Sequence, residues 1–215
     1  MTRSNFLSKV FLWMFIGLMV TFLTGVVVAG NAQALEFIFN GNGYIYFAIA
    51  ELITVIILSI RIHNMSPIGA RLGFIFYSFL SGLTFSSIFI IFEISSIITM
   101  FLITSIIMLI FSIIGATTKI DLAKFETYLL MILIAIVIAL FINKFVASAT
   151  FDIGITIVSL IVFIIFIACD VQKVLRLYDY NQDTENLAIF GALQLYLDFI
   201  NILLDLLKLF GKHND

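Results

Sequence analysis

The chain has 215 residues, of which 63% are hydrophobic and 11% charged, and its formal net charge is -2. Its mean hydropathy of +1.22 excludes a water-soluble globule, because too few polar side chains remain to cover one of this size. The slightly acidic balance, without a basic cluster, argues against a nucleic-acid partner. Composition therefore predicts an integral membrane protein.

Seven segments are long and apolar enough to cross a bilayer as helices, which takes about 20 residues at about 1.5 Å each. They are too long for barrel strands, which need about ten alternating residues, and nothing is left over for a soluble domain. We therefore predict an all-α, polytopic protein with one seven-helix transmembrane domain, residues 1–215. The predicted spans, in order, are 10–30, 44–61, 69–91, 95–116, 126–146, 153–177 and 187–209.

Lysine and arginine residues are distributed unevenly between the two ends of these spans. A cytoplasmic N-terminus places eight of them inside and three outside, in agreement with the excess of basic residues in cytoplasmic loops. We therefore expect the N-terminus in the cytoplasm. The inside set is Arg3, Lys9, Arg61, Arg71, Lys119, Lys124, Lys173 and Arg176, and the outside set is Lys144, Lys208 and Lys212.

Small residues four apart predict where helices pack closely, because association in lipid depends on close backbone approach. The first, third and fourth spans carry such stripes, and we expect them to form contact faces. The stripes are Gly17, Thr21 and Gly25; Ser78, Gly82 and Ser86; and Ser112 with Ala116.

The seventh span carries a polar stripe that is unusual for a bilayer. Its polar residues are Gln194, Asp198, Asn201, Asp205 and Lys208, and their spacing puts them on one face of a helix. Its other faces are apolar. Such a helix is expected at the centre of the bundle, with its stripe facing a partner or a cavity.

Four acids lie well inside the predicted spans: Glu51, Asp170, Asp198 and Asp205. A charge at the bilayer centre costs on the order of 2.5 to 3.5 kcal/mol, so such residues normally face protein or water. Asp170 and Asp198 lie at similar depths, about 10 Å and about 16 Å from the cytoplasmic ends of their helices. We therefore expect the two carboxyl groups to meet.

Two carboxyl groups in a poorly solvated site are expected to share a proton, because desolvation and mutual repulsion both disfavour the second charge. The same oxygens suit a hard cation such as Ca²⁺, with Gln194 and Asn201 on the same stripe. The sequence thus predicts a site where protons and Ca²⁺ compete, with Asp170 and Asp198 as proton sensors and metal ligands.

Two further residues complete the predicted path. Arg61, at the cytoplasmic end of the second span, either latches onto the aspartate pair or anchors the helix at the membrane surface. Glu51, in the same span, is either protonated or part of the polar path. Cys169 is the only cysteine, so no internal disulfide is expected, and no cofactor is implied.

Two stretches resemble the signature helices of the Bax inhibitor-1 family, also called the transmembrane Bax inhibitor motif family, and most closely its bacterial members. They are ACDVQKV, residues 168–174, and LYLDFINILLDLLKLFG, residues 195–211; AELITVII, residues 50–57, and GFIFYSFLSGLTFSSIF, residues 73–89, support them.

The resemblance implies a seven-helix bundle around its C-terminal helix and a pH-sensitive calcium leak, here in a bacterial inner membrane. It carries the proton-sensing pair onto Asp170 and Asp198 and the latch onto Arg61. Asp205 departs from the family pattern. It would either add a second contact for the cation or lie in a water-filled vestibule.

Other readings remain open. An intramembrane aspartyl protease also needs two aspartates, but its G-x-G-D pattern is missing, so we expect no enzyme activity. A calcium-binding loop of the EF-hand type that starts at Asp179 is not favoured. It has Thr184 and Phe190 where the EF-hand motif needs Gly and Glu. The main alternative is a non-transporting regulator that binds a partner protein, such as a protease or a cell-death factor.

Overall fold

The structure is a computed structural model that describes residues 2–41, 43–181 and 185–214. Within these residues the chain is helical and contains no β-strand. A 3₁₀ turn, Ile62–Asn64, follows α3. The helices are α1 (Arg3–Ala29), α2 (Ala32–Phe39), α3 (Gly43–Arg61), α4 (Pro67–Ile91), α5 (Ile94–Thr117), α6 (Ala123–Val146), α7 (Ala149–Asn181) and α8 (Glu185–Phe210).

The all-α, seven-span prediction is confirmed: every helix except α2 is long and apolar enough to cross a membrane. The helices extend past the predicted spans, most of all α1 and α7. The short helix α2 was not predicted, because its eight residues are too few for a membrane span. Asn31 starts α2 by accepting a hydrogen bond from the Ala34 amide, as a helix N-cap does.

The chain divides into two compact units. Unit 1 contains residues 1–93, 177–196 and 213–215, and unit 2 contains residues 94–176 and 197–212. The first part of α8 therefore belongs to unit 1 and the second part to unit 2. In α8, 72% of the most apolar window is buried, against 50% in α4, the next most buried span, so α8 is enclosed by protein as predicted.

In unit 1, α1 and α4 pack closely along the predicted small-residue stripes. A Cβ added at Gly17 would lie 2.6 Å from the Phe74 ring, and one at Gly82 would lie 2.8 Å from the Thr21 carbonyl oxygen. Neither position has room for a side chain. Thr21 and Ser78 are completely buried between these helices, so this part of the packing prediction is confirmed.

The start of α8 is tied to its neighbours in unit 1 by polar contacts. The Asn186 side-chain amide donates to the carbonyls of Ile62 and Met65, at 3.0 and 2.7 Å. Glu185 forms an ion pair with Arg71. These contacts hold the turn after α3 and the beginning of α4 against α8.

The C-terminal tail closes the end of α4 in unit 1. The Asn214 side chain donates to the carbonyls of Ile90 and Phe92, at 2.9 and 3.2 Å, and the His213 ring lies 4.8 Å from the Phe92 ring. Carbonyl groups at a helix C-terminus otherwise lack intrahelical donors. The tail therefore supplies a C-terminal cap.

In unit 2, α7 packs against α5 and α6. A Cβ added at Gly115 would meet the Ala168 backbone, 2.8 Å from its Cα atom, so α5 and α7 touch two residues before Asp170. The closest approach is at Gly115. Of the two predicted positions, Ser112 is buried and Ala116 is half-buried. The apolar core between α6 and α7 contains Leu129, Ile136, Ile155, Val162, Phe166 and Cys169.

Candidate functional site

The two aspartates predicted to pair, Asp170 on α7 and Asp198 on α8, both lie in unit 2. Each is only 4% exposed. Their carboxyl groups are close enough for the charge of Asp170 to act on Asp198. The Asp198 Oδ2 atom is buried and accepts no hydrogen bond from the described residues. The structure therefore buries both acids in unit 2, and their role as a pair that shares a proton stays a prediction.

Such a pair is costly when fully ionised. Burying a carboxylate costs several kcal/mol unless a cation or hydrogen bonds compensate it. Lys173, one turn after Asp170, acts on Asp170 through its charge, but its ammonium is ion-paired with Glu126. The site is thus chemically suited to hold a proton between the two carboxyl groups, or a cation in its place.

The segment next to Asp170 is tied to the loop between α5 and α6. The Gln172 side chain donates to the Ile120 carbonyl at 2.8 Å and accepts from the Leu122 amide at 2.9 Å. Both ends of its amide are used, and the side chain is 8% exposed. Sequence reasoning missed Gln172, Lys173 and Glu126, although ACDVQKV contains two of them.

An exposed ion pair lies next to these Gln172 contacts. Arg176 donates a hydrogen bond to Asp121, and this bond lowers the pKa of Asp121 below its ordinary value. Both side chains are more than 40% exposed, so solvent screens the pair. Asp121 therefore stays ionised near neutral pH and does not titrate in that range.

The second part of α8 forms two more polar contacts with α7. Ser159 of α7 lies near the Asp205 carboxyl group, and the Lys208 ammonium lies 2.7 Å from Asp152 Oδ2. The Asp205 Oδ2 atom is buried and accepts no hydrogen bond from the described residues. Ser159 and Asp152 were not predicted as partners, because contacts 46 and 56 residues apart leave no local pattern.

The two amides of the predicted ion path are half-buried on α8. Asn201, in unit 2, donates to the Leu197 carbonyl of its own helix at 2.7 Å. This bond uses the nitrogen and leaves the amide oxygen available as an acceptor. Gln194 belongs to unit 1. Their roles in a path stay predictions.

Glu51 lies in unit 1 and contacts a hydroxyl group. Its Oε2 atom accepts a hydrogen bond from the Thr84 hydroxyl at 2.8 Å, and the buried Tyr77 is close enough for the charge of Glu51 to act on it. Its place in an ion path stays a prediction.

A second set of hydroxyl groups in unit 1 surrounds Tyr196. The Thr21 hydroxyl donates to the Ser78 carbonyl at 2.9 Å and lies 2.6 Å from the Tyr196 hydroxyl. Since the Thr21 proton is used, Tyr196 donates to Thr21. The chain of bonds ends at a backbone carbonyl, so it holds Tyr196 in place.

Arg61, the predicted latch, is the last residue of α3 in unit 1 and is exposed. Its role stays a prediction. Among the described residues, no three His, Cys, Asp or Glu side chains are placed to hold a metal ion together. The rejected calcium loop includes Thr184, which lies outside the described residues.

Comparisons with known proteins cover nearly the whole chain. A family model described as "Inhibitor of apoptosis-promoting Bax1" matches residues 3–215. The inner membrane protein YbhL of Escherichia coli K12 is 38% identical over 97% of this chain and 92% of its own length.

Other bacteria also have similar proteins. An uncharacterized protein of Borreliella burgdorferi is 34% identical over 99% of this chain and 94% of its own length. One from Deinococcus radiodurans is 30% identical over 98% of this chain and 91% of its own length. With a family model matching from α1 to the C-terminal tail, this seven-span membrane protein belongs to the Bax inhibitor-1 family.

Proposed function

We propose that the protein is a Ca²⁺-permeable leak of a bacterial inner membrane, controlled by a proton shared between Asp170 and Asp198. The observation that carries this proposal is the burial of both carboxyl groups, 4% exposed each, within range of one another's charge. Intramembrane acids are costly, and they normally mark ion or proton paths.

Competition between protons and Ca²⁺ follows from the chemistry of the pair. When both carboxyl groups are ionised, they offer hard oxygen ligands of the kind Ca²⁺ prefers. When they share a proton, that proton occupies the position of the cation and removes one negative charge. Protonation of the pair therefore lowers its capacity to hold a cation.

The remaining predicted residues have subordinate roles in this proposal. Arg61 acts as a latch that pairs with the ionised aspartates. Glu51, Gln194, Asn201 and Asp205 offer oxygen atoms to the cation along its path. The protein catalyses no reaction and needs no cofactor, and its N-terminus lies in the cytoplasm. Protons and Ca²⁺ are its ligands.

A regulator that binds a partner protein is the competing function, and the words "Inhibitor of apoptosis-promoting" in the family description favour it. In such a protein the aspartate pair would only stabilise the fold. A regulator of this kind does not pass Ca²⁺ when it is alone in a membrane, so reconstitution separates the two functions.

The test is Ca²⁺ efflux from vesicles that contain only the purified protein, measured from about pH 5 to about pH 8. We expect efflux that changes with pH in the parent protein. Asp170→Asn and Asp198→Asn should each give efflux that is independent of pH, because neither variant can share a proton between two carboxyl groups. Asp179→Asn, which removes the exposed partner of Arg3, is the matched control and should keep the parent profile.

Two outcomes contradict the proposal. Absence of efflux from the purified parent protein favours the regulator, and unchanged pH profiles in both aspartate variants reject the shared proton.

A further inference from the structure

One face of α7 holds the loop between α5 and α6 in unit 2. Gln172 lies at the centre of this face, and its amide donates to the Ile120 carbonyl at 2.8 Å and accepts from the Leu122 amide at 2.9 Å. Cys169 and Arg176, on either side of it along the helix, also contact the loop. Residues three and four apart share a face of a helix, so a single stripe of α7 binds the loop.

The Gln172 bonds supply partners that the loop itself lacks. Leu122 is the N-cap residue of α6, and its side chain forms no capping hydrogen bond. Backbone groups outside a helix need partners from elsewhere, and Gln172 provides one donor and one acceptor. Its side chain is 8% exposed. The contact is therefore hard to open, because opening it would leave a buried amide without hydrogen bonds.

The same turn of α7 carries Asp170 on a different face. Positions 170 and 172 are about 200° apart around a helix with 3.6 residues per turn. A Cβ added at Gly115 of α5 would lie 2.8 Å from the Ala168 Cα atom, so the backbone of α5 also contacts this turn. Both α5 and the loop thus hold the turn in which Asp170 lies.

The charged groups near Asp170 come from three helices. Asp198 on α8 is within range of its charge, and Lys173 on α7 forms an ion pair with Glu126 at the start of α6. Residues 94–117, which form α5, include no charged side chain. A proton shared by two carboxyl groups depends on their separation and orientation. A small rotation of α7 would therefore change how the two aspartates share it.

We propose that Gln172 is a positioning residue for the aspartate pair: it holds the loop between α5 and α6 against α7 and so keeps Asp170 turned toward Asp198. Gln172 binds neither the proton nor the cation in this role, and it acts only through the orientation of its helix. Its part in proton sensing rests on the proposed function, but the titration of the pair is measurable without any flux.

The test is the infrared carbonyl-stretch band of protonated carboxyl groups in the purified protein, followed from about pH 5 to about pH 8. The difference between the parent and Asp170→Asn identifies the band of the pair. Gln172→Leu removes both hydrogen bonds to the loop. We expect the midpoint of the titration to move toward acid by about half a pH unit, a roughly threefold weaker binding of the proton, because carboxyl groups that turn apart repel each other less.

A second variant breaks the same contact from the side of the loop. Leu122→Pro removes the amide that donates to Gln172, and the φ of -75° at this position suits a proline ring. We expect the same shift, and the double variant with Gln172→Leu should shift no further, since both changes break one contact. Leu122→Ala, which shortens the side chain but keeps the amide, is the matched control and should keep the parent midpoint.

A control on α7 separates positioning from general loss of stability. Thr156→Val removes a buried hydroxyl that donates to the Asp152 carbonyl of its own helix. Both this variant and Gln172→Leu should lower the unfolding temperature in detergent, because each loses a hydrogen bond. Only Gln172→Leu should move the midpoint of the titration.

The outcomes separate this role from the leak. A parent midpoint in Gln172→Leu, or an equal shift in Leu122→Ala or Thr156→Val, overturns the positioning role, and pH-dependent efflux from vesicles would then leave the leak standing. If the midpoint moves as expected but the vesicles show no Ca²⁺ efflux, Gln172 positions the pair and the leak is rejected. A parent protein without a titrating band rejects the positioning role as well, because no shared proton is then present.

Discussion

The two parts of α8 differ in whether their buried polar groups have hydrogen-bond partners that compensate for their removal from water. In the part that belongs to unit 1, the Tyr196 hydroxyl donates to Thr21 and the chain of bonds ends at a carbonyl. In the part that belongs to unit 2, Asp198 and Asp205 each have a buried oxygen without a donor among the described residues. One helix thus combines a compensated segment with an acidic, uncompensated one.

Under the proposed function, this contrast separates a structural segment of α8 from an ion-binding one. Unit 1 also has a buried oxygen without a donor, on Asn186, but an amide is neutral and its burial costs less than that of a carboxylate. A buried polar group without a partner calls for an explanation, and a bound ion is one. Under the proposed function, the first part of α8 anchors the helix and the second part binds the ion.

The largest expected effect on stability comes from disturbing the helix that carries Asp170. Gly115→Val would push a side chain into the Ala168 backbone, and overpacking of this kind costs about 1 to 3 kcal/mol. Because Ala168 precedes Asp170 by two residues, we also expect an altered pH profile of Ca²⁺ efflux. Thermal unfolding in detergent and vesicle efflux measure the two effects.

Gly154→Val is the control for this substitution, since a Cβ at Gly154 meets nothing within 4 Å. It should leave both the unfolding temperature and the efflux profile close to those of the parent. Equal destabilisation by the two substitutions would mean that the contact between α5 and α7 does not position Asp170.

A smaller effect is expected in the compensated segment. Tyr196→Phe removes the hydroxyl that lies 2.6 Å from Thr21 Oγ1 and should cost about 1 kcal/mol of unfolding free energy. The pH dependence of efflux should survive, although Asp198 is only two residues away. A flattened profile would place Tyr196 in the proton-sensing site and remove the contrast between the two segments.

The smallest effect is expected from Asp121→Asn. The bond from Arg176 lowers the pKa of Asp121, so the stabilisation by this carboxylate is complete above the ordinary pKa of about 3.9 and is lost only in stronger acid. The efflux profile between about pH 5 and about pH 8 should therefore match that of the parent. A shift of its midpoint would show that this exposed charge takes part in proton sensing.

Much of this architecture could be predicted from the sequence because bilayer thickness imposes a length on each span. The seven spans, the stripe on α8 and the burial of Asp170 and Asp198 follow from hydropathy and helical period. The family resemblance identified the same two aspartates from ACDVQKV and LYLDFINILLDLLKLFG. Helix ends were less accurate, and α2 was missed because it is shorter than a span.

The partners of the acids could not be predicted in the same way. Ser159 and Asp152 contact residues on α8 only because α7 and α8 pack antiparallel in unit 2, and side-chain pairs between helices have no sequence period. The hydrogen bonds of Gln172 with Ile120 and Leu122 likewise depend on where the loop between α5 and α6 lies. Positions inside one helix follow from local rules, whereas contacts between helices require the fold.

The most direct test of the central claim is a double-mutant cycle on the aspartate pair, read out as the pH dependence of Ca²⁺ efflux from vesicles. If Asp170 and Asp198 hold one proton together, the variants Asp170→Asn, Asp198→Asn and the double variant should all give the same pH-independent efflux. If each single variant keeps part of the pH response and the losses add up in the double variant, the two carboxyl groups titrate separately and the account is wrong.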